Sequence, residues 1–189
     1  MKKAIFIDRD GVIVKNVDGE APKKAEDLKL NLESVPIMKK LQQKGYSIFV
    51  ISNQPDVALG KINENVKKAL LKKFRELLRE NNISVGIYYC FHHPRGVIKK
   101  YQKNCDCRKP KPGMLLKAIH DYKIDPLKSF IIGDRARDIK AGNLAGVRTI
   151  LIDPENSEKN YLLEYKVKPD FTVNKLLEVT DIIIIKENS

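Results

Sequence analysis

A chain of 189 residues, 42% apolar and 32% charged, is long enough for one substantial hydrophobic core and too apolar to stay disordered. Its conspicuous apolar runs, Ala4 to Ile7 and Ile182 to Ile185, are too short for a signal-peptide core or a membrane span, so the expectation is one cytoplasmic domain over residues 1–189. The surplus of 36 Lys+Arg over 24 Asp+Glu, a formal charge of +12, leaves nucleic acid, an acidic membrane or a small anion open as partners.

Ala4–Ile7 reads as the first strand. Val35 to Lys44 reads as a helix, with Pro36 in its first turn, Ile37, Met38 and Leu41 on one face and Gly45 closing it. Tyr46–Ile51 reads as the second strand and Asn63–Glu80 as a long amphipathic helix, in which basic residues alternate with Val66, Leu70, Phe74 and Leu77 and form a solvated face. Ile87–Cys90 reads as a third strand, followed by a polar, irregular segment through Pro112. Gly113–Tyr122 is expected as helix, Phe130–Ile132 as strand, Arg137–Ala145 as helix and Val147–Ile152 as strand, with Asp170–Val173 a final strand. Leu176–Ile185 fits helix or strand. The alternation predicts an α/β, Rossmann-like three-layer fold with a mainly parallel sheet. In such sheets the carboxyl ends of the strands line the ligand crevice, and Asp8, Ser52 and Gly133-Asp134 each follow a predicted strand.

Asp8-Arg9-Asp10-Gly11 sets two carboxylates two residues apart beside a glycine that eases a turn. One carboxylate can form an acyl-phosphate, and the other can protonate a leaving alkoxide and then deprotonate water. A surface turn rich in aspartate would look the same. Ser52-Asn53-Gln54 offers a hydroxyl and backbone N–H groups for phosphoryl oxygens, or simply a polar helix cap. Arg108-Lys109-Pro110-Lys111-Pro112-Gly113 supplies fixed positive charge before a helix. Asp134, after its strand, can join Asp8 in holding a hard dication. Asp138 is either a supporting acid or a residue favoured only by its helix N-terminus.

Four such segments in this order resemble the haloacid dehalogenase-type phosphatases, and the resemblance spans residues 4 to about 152. It implies Asp8 as phosphorylated nucleophile and Mg²⁺ ligand, Asp10 as general acid/base with its carbonyl on the metal, Ser52 and Lys109 as stabilisers of the phosphoryl group, and Asp134 as the remaining carboxylate on Mg²⁺. No insertion is long enough for a cap domain, so the crevice should be closed only by loops around 14–26 and 92–107.

Cys90, Cys105 and Cys107 are the chain's cysteines and lie within 18 positions. Cys90-Phe91-His92 and Cys105-Asp106-Cys107 make two short ligand pairs separated by residues 93–104, and a Cys₃His set closes a tetrahedral Zn²⁺ site without an open position. His93 is an alternative to His92. The expected zinc is structural, fixing the loop that ends at Lys109. The stretch from Cys90 to Met114 is similar to the heptose-1,7-bisphosphate 7-phosphatases and more loosely to the histidinol-phosphate phosphatases, whose loop between the ligand pairs is usually shorter. That resemblance implies a small phosphorylated sugar as substrate, Arg108 for its recognition, and Asn53, Gln54, Asn16, Val17, Asp18 and Gly19 as contacts. Arg135, where lysine is often found, keeps the charge and joins them. A monomer without membrane or nucleic-acid partners is expected. A polynucleotide 3′-phosphatase would share the chemistry, but the chain has no aromatic-interleaved basic groove for stacking bases. A zinc-stabilised binding module would not need Asp8, Asp10, Lys109 and Asp134 together.

Overall fold

The computed structural model describes residues 1–187. One sheet of six parallel strands, in the order β3-β2-β1-β4-β5-β6, runs through the molecule. The strands are β1 (Ala4–Ile7), β2 (Ser47–Asn53), β3 (Gly86–Cys90), β4 (Phe130–Gly133), β5 (Arg148–Ile152) and β6 (Phe171–Val173). The helices are α1 (Ser34–Gln43), α2 (Glu64–Glu80), α3 (Gly113–Tyr122), α4 (Ala136–Ala145), α5 (Lys159–Tyr165) and α6 (Glu178–Glu187). Among the described residues no helix is long and apolar enough to cross a membrane.

The period-two alternation of the strands builds two cores. Ile5, Ile7, Ile48, Val50 and Ile132 face one side, with Met38 and Leu41 of α1, Phe74 of α2 and Ile183 of α6. Ala4, Phe6, Phe49, Ile51 and Ile131 face the other, with Leu115 of α3 and Ala141 of α4. Each large apolar side chain buried this way contributes about 1.5–3 kcal/mol, which is why central strands read as unbroken apolar runs. Asn63 caps α2 by accepting from the Val66 N–H at 2.9 Å.

Most elements lie where the sequence pattern expects them, within a residue or two. Three differ. Ser52 lies inside β2, which continues to Asn53, because the ladder with β3 runs on to the Asn53↔Cys90 pair. Leu176–Ile185 resolves in favour of helix, with Val179 and Ile183 turned inward. α5 has no counterpart in the sequence pattern; none of its residues is buried, so it carries no apolar face to detect.

The register positions the site. Ile7 pairs with both Val50 of β2 and Ile132 of β4, and the Asp8 N–H extends that ladder to the Ile132 carbonyl at 2.9 Å. Asp8 therefore emerges at the centre of the sheet, with β2 and its residues on one flank and β4 on the other, where α/β sheets form their crevice. Residues 8–33, between β1 and α1, contain only turns and isolated bridges, with no inserted domain.

Candidate active site

Asp8 is buried, and the Nζ of buried Lys109 lies 2.9 Å from its Oδ1 although 101 positions separate the two residues. The same ammonium lies 2.5 Å from Oδ1 of Asp138 and donates to the Ile51 carbonyl at 2.7 Å. Burial opposes charge on this lysine, but Asp138 and Asp8 outweigh it and hold it above the ordinary lysine range. Asp138 is thus a buried counterion, and Gly133 makes room for it: a Cβ there would fall 2.4 Å from the Asp138 Cβ. Its Oδ2 also accepts from the Arg135 N–H at 3.2 Å, closing the first turn of α4.

Lys109 is held from the backbone as well. The Asn53 side chain accepts from the Lys109 N–H and donates to its carbonyl, both at 3.0 Å, so the tip of β2 docks the loop preceding α3. Gln54 donates to Asp10 Oδ2 at 2.5 Å and to Ser52 Oγ at 2.9 Å. Arg9, fully buried between the rings of Phe74 and Tyr89, donates through Nε to Asp10 Oδ1 at 2.9 Å and through Nη2 to Gln54 Oε1 at 2.7 Å. Sequence reasoning misses this residue, because an arginine between two aspartates passes for part of a polar turn. It fixes Asp10 from behind.

Asp134 follows β4 and packs onto Gly11, whose φ of +87° lets the chain turn back between the two aspartates; a Cβ at Gly11 would lie 2.2 Å from Asp134 Oδ2. Burial, with Asp8 and Asp138 nearby, pushes the Asp134 carboxyl up to about 7. Its Oδ1 is buried without a hydrogen-bond partner, as is Oδ1 of Asn16. Oxygens of Asp8, Asp134 and Asp138 lie within 4.8 Å of one another. With Asp138 engaged by Lys109, Asp8 and Asp134 remain as hard oxygen donors, one with an unpartnered lone pair. That set fits a dication such as Mg²⁺.

These groups open on a cavity of about 200 Å³ whose walls include Asp10, Asn16, Gly19, Asn53, Arg108, Asp134 and Arg135. Val17 and Asp18 do not line it. They belong to a tight hairpin in which Val17 and Glu20 exchange both backbone hydrogen bonds and Asp18 and Gly19 take positive φ. Lys111 also points elsewhere, pairing with Asp106 at 3.1 Å on the surface.

Beside the crevice, the Sγ atoms of Cys90, Cys105 and Cys107 lie 3.1–3.5 Å apart, and Nδ1 of His92 lies 3.4 Å from Cys107 Sγ. The donor set, with its four atoms within 4.8 Å of one another, fits a tetrahedral zinc, whose bonds of about 2.3 Å would open the sulfur–sulfur edges a little, to about 3.8 Å. His92 supplies the nitrogen; His93 Nδ1 instead accepts from the Arg95 N–H at 3.1 Å. Burial and the two neighbouring thiols hold Cys107 well above the usual thiol range, a strain that a cation among the sulfurs removes.

A family model described as HAD-hydrolase-like matches residues 106–179. A Haemophilus ducreyi protein named D-glycero-beta-D-manno-heptose-1,7-bisphosphate 7-phosphatase is 38% identical, over 94% of this chain and 96% of its own length. A Photorhabdus laumondii protein bearing the corresponding alpha name is 35% identical, over 93% and 97%. In fold, the chain is similar to the D,D-heptose 1,7-bisphosphate phosphatase of B. bronchiseptica, whose crystal structure is complexed with magnesium and phosphate (TM-score 0.79, 24% identity, covering 97% of this chain and 99% of that one).

Proposed function

We propose that this chain, which belongs to the heptose-1,7-bisphosphate 7-phosphatase family of haloacid dehalogenase-type phosphatases, removes the 7-phosphate of D-glycero-D-manno-heptose 1,7-bisphosphate through an aspartyl-phosphate on Asp8. The observation that carries this reading is the buried Asp8–Lys109 pair at the central strand, with Asp10 on the wall of the same crevice.

In the first step an Asp8 carboxylate oxygen attacks phosphorus, the bond from phosphorus to the sugar oxygen breaks, and Asp10 protonates the departing alkoxide. In the second, Asp10 takes a proton from water as its oxygen attacks the same phosphorus, and the bond to Asp8 breaks. Lys109 and the Ser52 hydroxyl face the transferred phosphoryl group and offset its charge. Asp8, Asp134 and the Asp10 carbonyl would hold Mg²⁺, which supplies Lewis-acid neutralisation of phosphoryl oxygens. Arg9 and Gln54 keep Asp10 oriented for both proton transfers. Arg108, Arg135, Asn53, Asn16 and Gly19, which line the cavity, receive the rest of the substrate.

Cys90, His92, Cys105 and Cys107 would hold a structural Zn²⁺ that fixes the loop leading directly into Arg108 and Lys109. The enzyme is taken to act in the cytoplasm as a monomer, with residues 1–189 forming one unit without a cap. Side-by-side kcat/KM values for heptose 1,7-bisphosphate, histidinol phosphate and a DNA 3′-phosphate at fixed Mg²⁺ test the assignment. The heptose should lead by more than about tenfold. A lead for either of the others overturns the substrate while leaving the chemistry on Asp8 standing.

A further inference from the structure

We propose that Arg137 is a specificity-determining residue that, with Arg108, grips the second, non-reacting phosphate of the substrate in a subsite walled by α4 and α5. The inference deepens the bisphosphate reading above and rests on it. The crevice beside Asp10 and Asp134 is lined by three guanidinium groups, Arg108, Arg135 and Arg137. A further cavity of about 390 Å³ shares Gly19, Arg135 and Arg137 with it and is completed by Glu158, Tyr161 and Tyr165. Arg135 and Arg137 therefore stand on the wall common to both, and a ligand reacting at Asp8 can extend past them.

The three arginines differ in what already neutralises them. Arg135 has Glu158 Oε1 at 3.1 Å and Asp134 Oδ2 at 3.5 Å. Glu158 is in turn spent, because its Oε2 accepts the Ala136 N–H at 2.7 Å. Arg137 has no carboxylate within 4 Å among the described residues, and its buried Nε has no hydrogen-bond partner. Arg108 makes a single long bond, from Nη1 to the His92 carbonyl at 3.5 Å. Arg108 and Arg137 are each half-buried and line the same crevice. Two partly desolvated guanidinium groups that repel each other gain most from a shared dianion, and the guanidinium fork matches phosphate oxygens in pairs. Tyr161 and Tyr165, which line the same cavity, carry hydroxyls that can donate to the remaining oxygens.

A competing role is that Arg137 serves the reaction centre itself, since Asp138, Asp8 and Asp134 all attract it. The substrate ratio separates the two. For the intact enzyme with Mg²⁺, kcat/KM is measured for the 1,7-bisphosphate and for the same sugar carrying only the 7-phosphate, in wild type, Arg137→Gln, Arg137→Lys and Tyr165→Phe. The wild-type preference for the bisphosphate should fall about tenfold or more in Arg137→Gln, mainly through KM. Arg137→Lys should recover part of it by keeping charge without the fork, and Tyr165→Phe should lower it by a smaller factor. An unchanged ratio in Arg137→Gln, or equal slowing of both substrates, overturns this inference alone. A wild type without preference overturns the bisphosphate reading and this subsite with it.

Discussion

The aspartate cluster and the cysteine cluster meet in sequence at Cys107-Arg108-Lys109, yet the chain holds them in opposite ways. Asp8 and Asp134 stand at the ends of paired strands, and Asp138 sits in the first turn of a helix packed against them. Their positions follow from sheet register, and Lys109 is already there as counterion. The cysteines gather mostly from an irregular segment between β3 and α3, where no ladder or helix fixes the backbone. There a metal held by the cluster would itself be the crosslink. Losing a side chain at the first cluster should remove chemistry from an intact scaffold, whereas losing one at the second should loosen scaffold and affect chemistry only through it.

Asp8→Asn is the sharpest way to break that contrast and carries the largest expected effect. The amide has nearly the shape of the carboxylate but is a poor nucleophile and a poor metal ligand. Phosphate release should fall by at least about three orders of magnitude, with circular dichroism and Tm close to wild type. Retention of a tenth of the activity would falsify the nucleophile assignment. Lys109→Met should differ in kind. It leaves Asp8 and Asp138 buried together without their shared cation, so activity and stability fall together, the latter by about 3–5 kcal/mol in urea unfolding. A variant as stable as wild type would mean that the ammonium is not the counterion the geometry describes.

The same contrast governs what is legible in the sequence. Buried parallel strands announce themselves as apolar runs, so the runs alone place Asp8 and Asp134 at one sheet edge. The pairing of Asp138 with Lys109 is not legible: 29 positions separate them, and an acid in the first helical turn has a sufficient local explanation. Arg9 is hidden for a related reason, since an arginine between two aspartates looks solvated, and only the rings of Phe74 and Tyr89 from distant elements enclose it. Arg137 lies inside the polar segment that follows β4, but its lack of a counterion shows only once α5 is in place. The cysteine–histidine cluster is legible as a set, while the choice between His92 and His93 depends on loop geometry.

Zinc removal probes the other side. Stripping the ion with a chelator, or Cys107→Ser, should lower Tm and reduce kcat/KM by about 10–100-fold, less than Asp8→Asn, because Lys109 keeps its Asn53 and Asp138 contacts. Elemental analysis of protein purified without chelator should find one zinc per chain. A metal-free protein that is fully active and equally stable would eliminate the site.

The smallest effect belongs to a contact that ties the cysteine loop to α2 without any metal. Lys67 lies over the rings of Phe91 and Tyr101, at 4.9 and 5.0 Å from their centroids, and donates to the Tyr101 hydroxyl at 2.6 Å. Tyr101 donates to Glu64 Oε1 at 2.5 Å, and Lys67 pairs with Glu64 Oε2 at 2.6 Å. Hydrogen bonds from Lys67 and Tyr101 hold the Glu64 carboxyl down to about 2. A carboxyl lowered on folding adds stability that is complete above its unfolded value of about 4.3 and is lost as pH falls toward its folded one. Glu64→Gln should therefore lower Tm slightly at pH 7, with the difference from wild type shrinking as pH falls from about 4.3 toward 2. Because Glu64 is exposed, salt should shrink the difference too. Thermal melts across that range, at low and high ionic strength, decide the matter: a difference that persists unchanged at the acid end, or in high salt, would show that the glutamate acts through packing rather than through its charge. In that case the loop's second anchor is the Phe91–Tyr101 contact with Lys67, beside the backbone hydrogen bonds that Val97 and Ile98 donate to the Ala58 carbonyl at 2.8 and 3.1 Å.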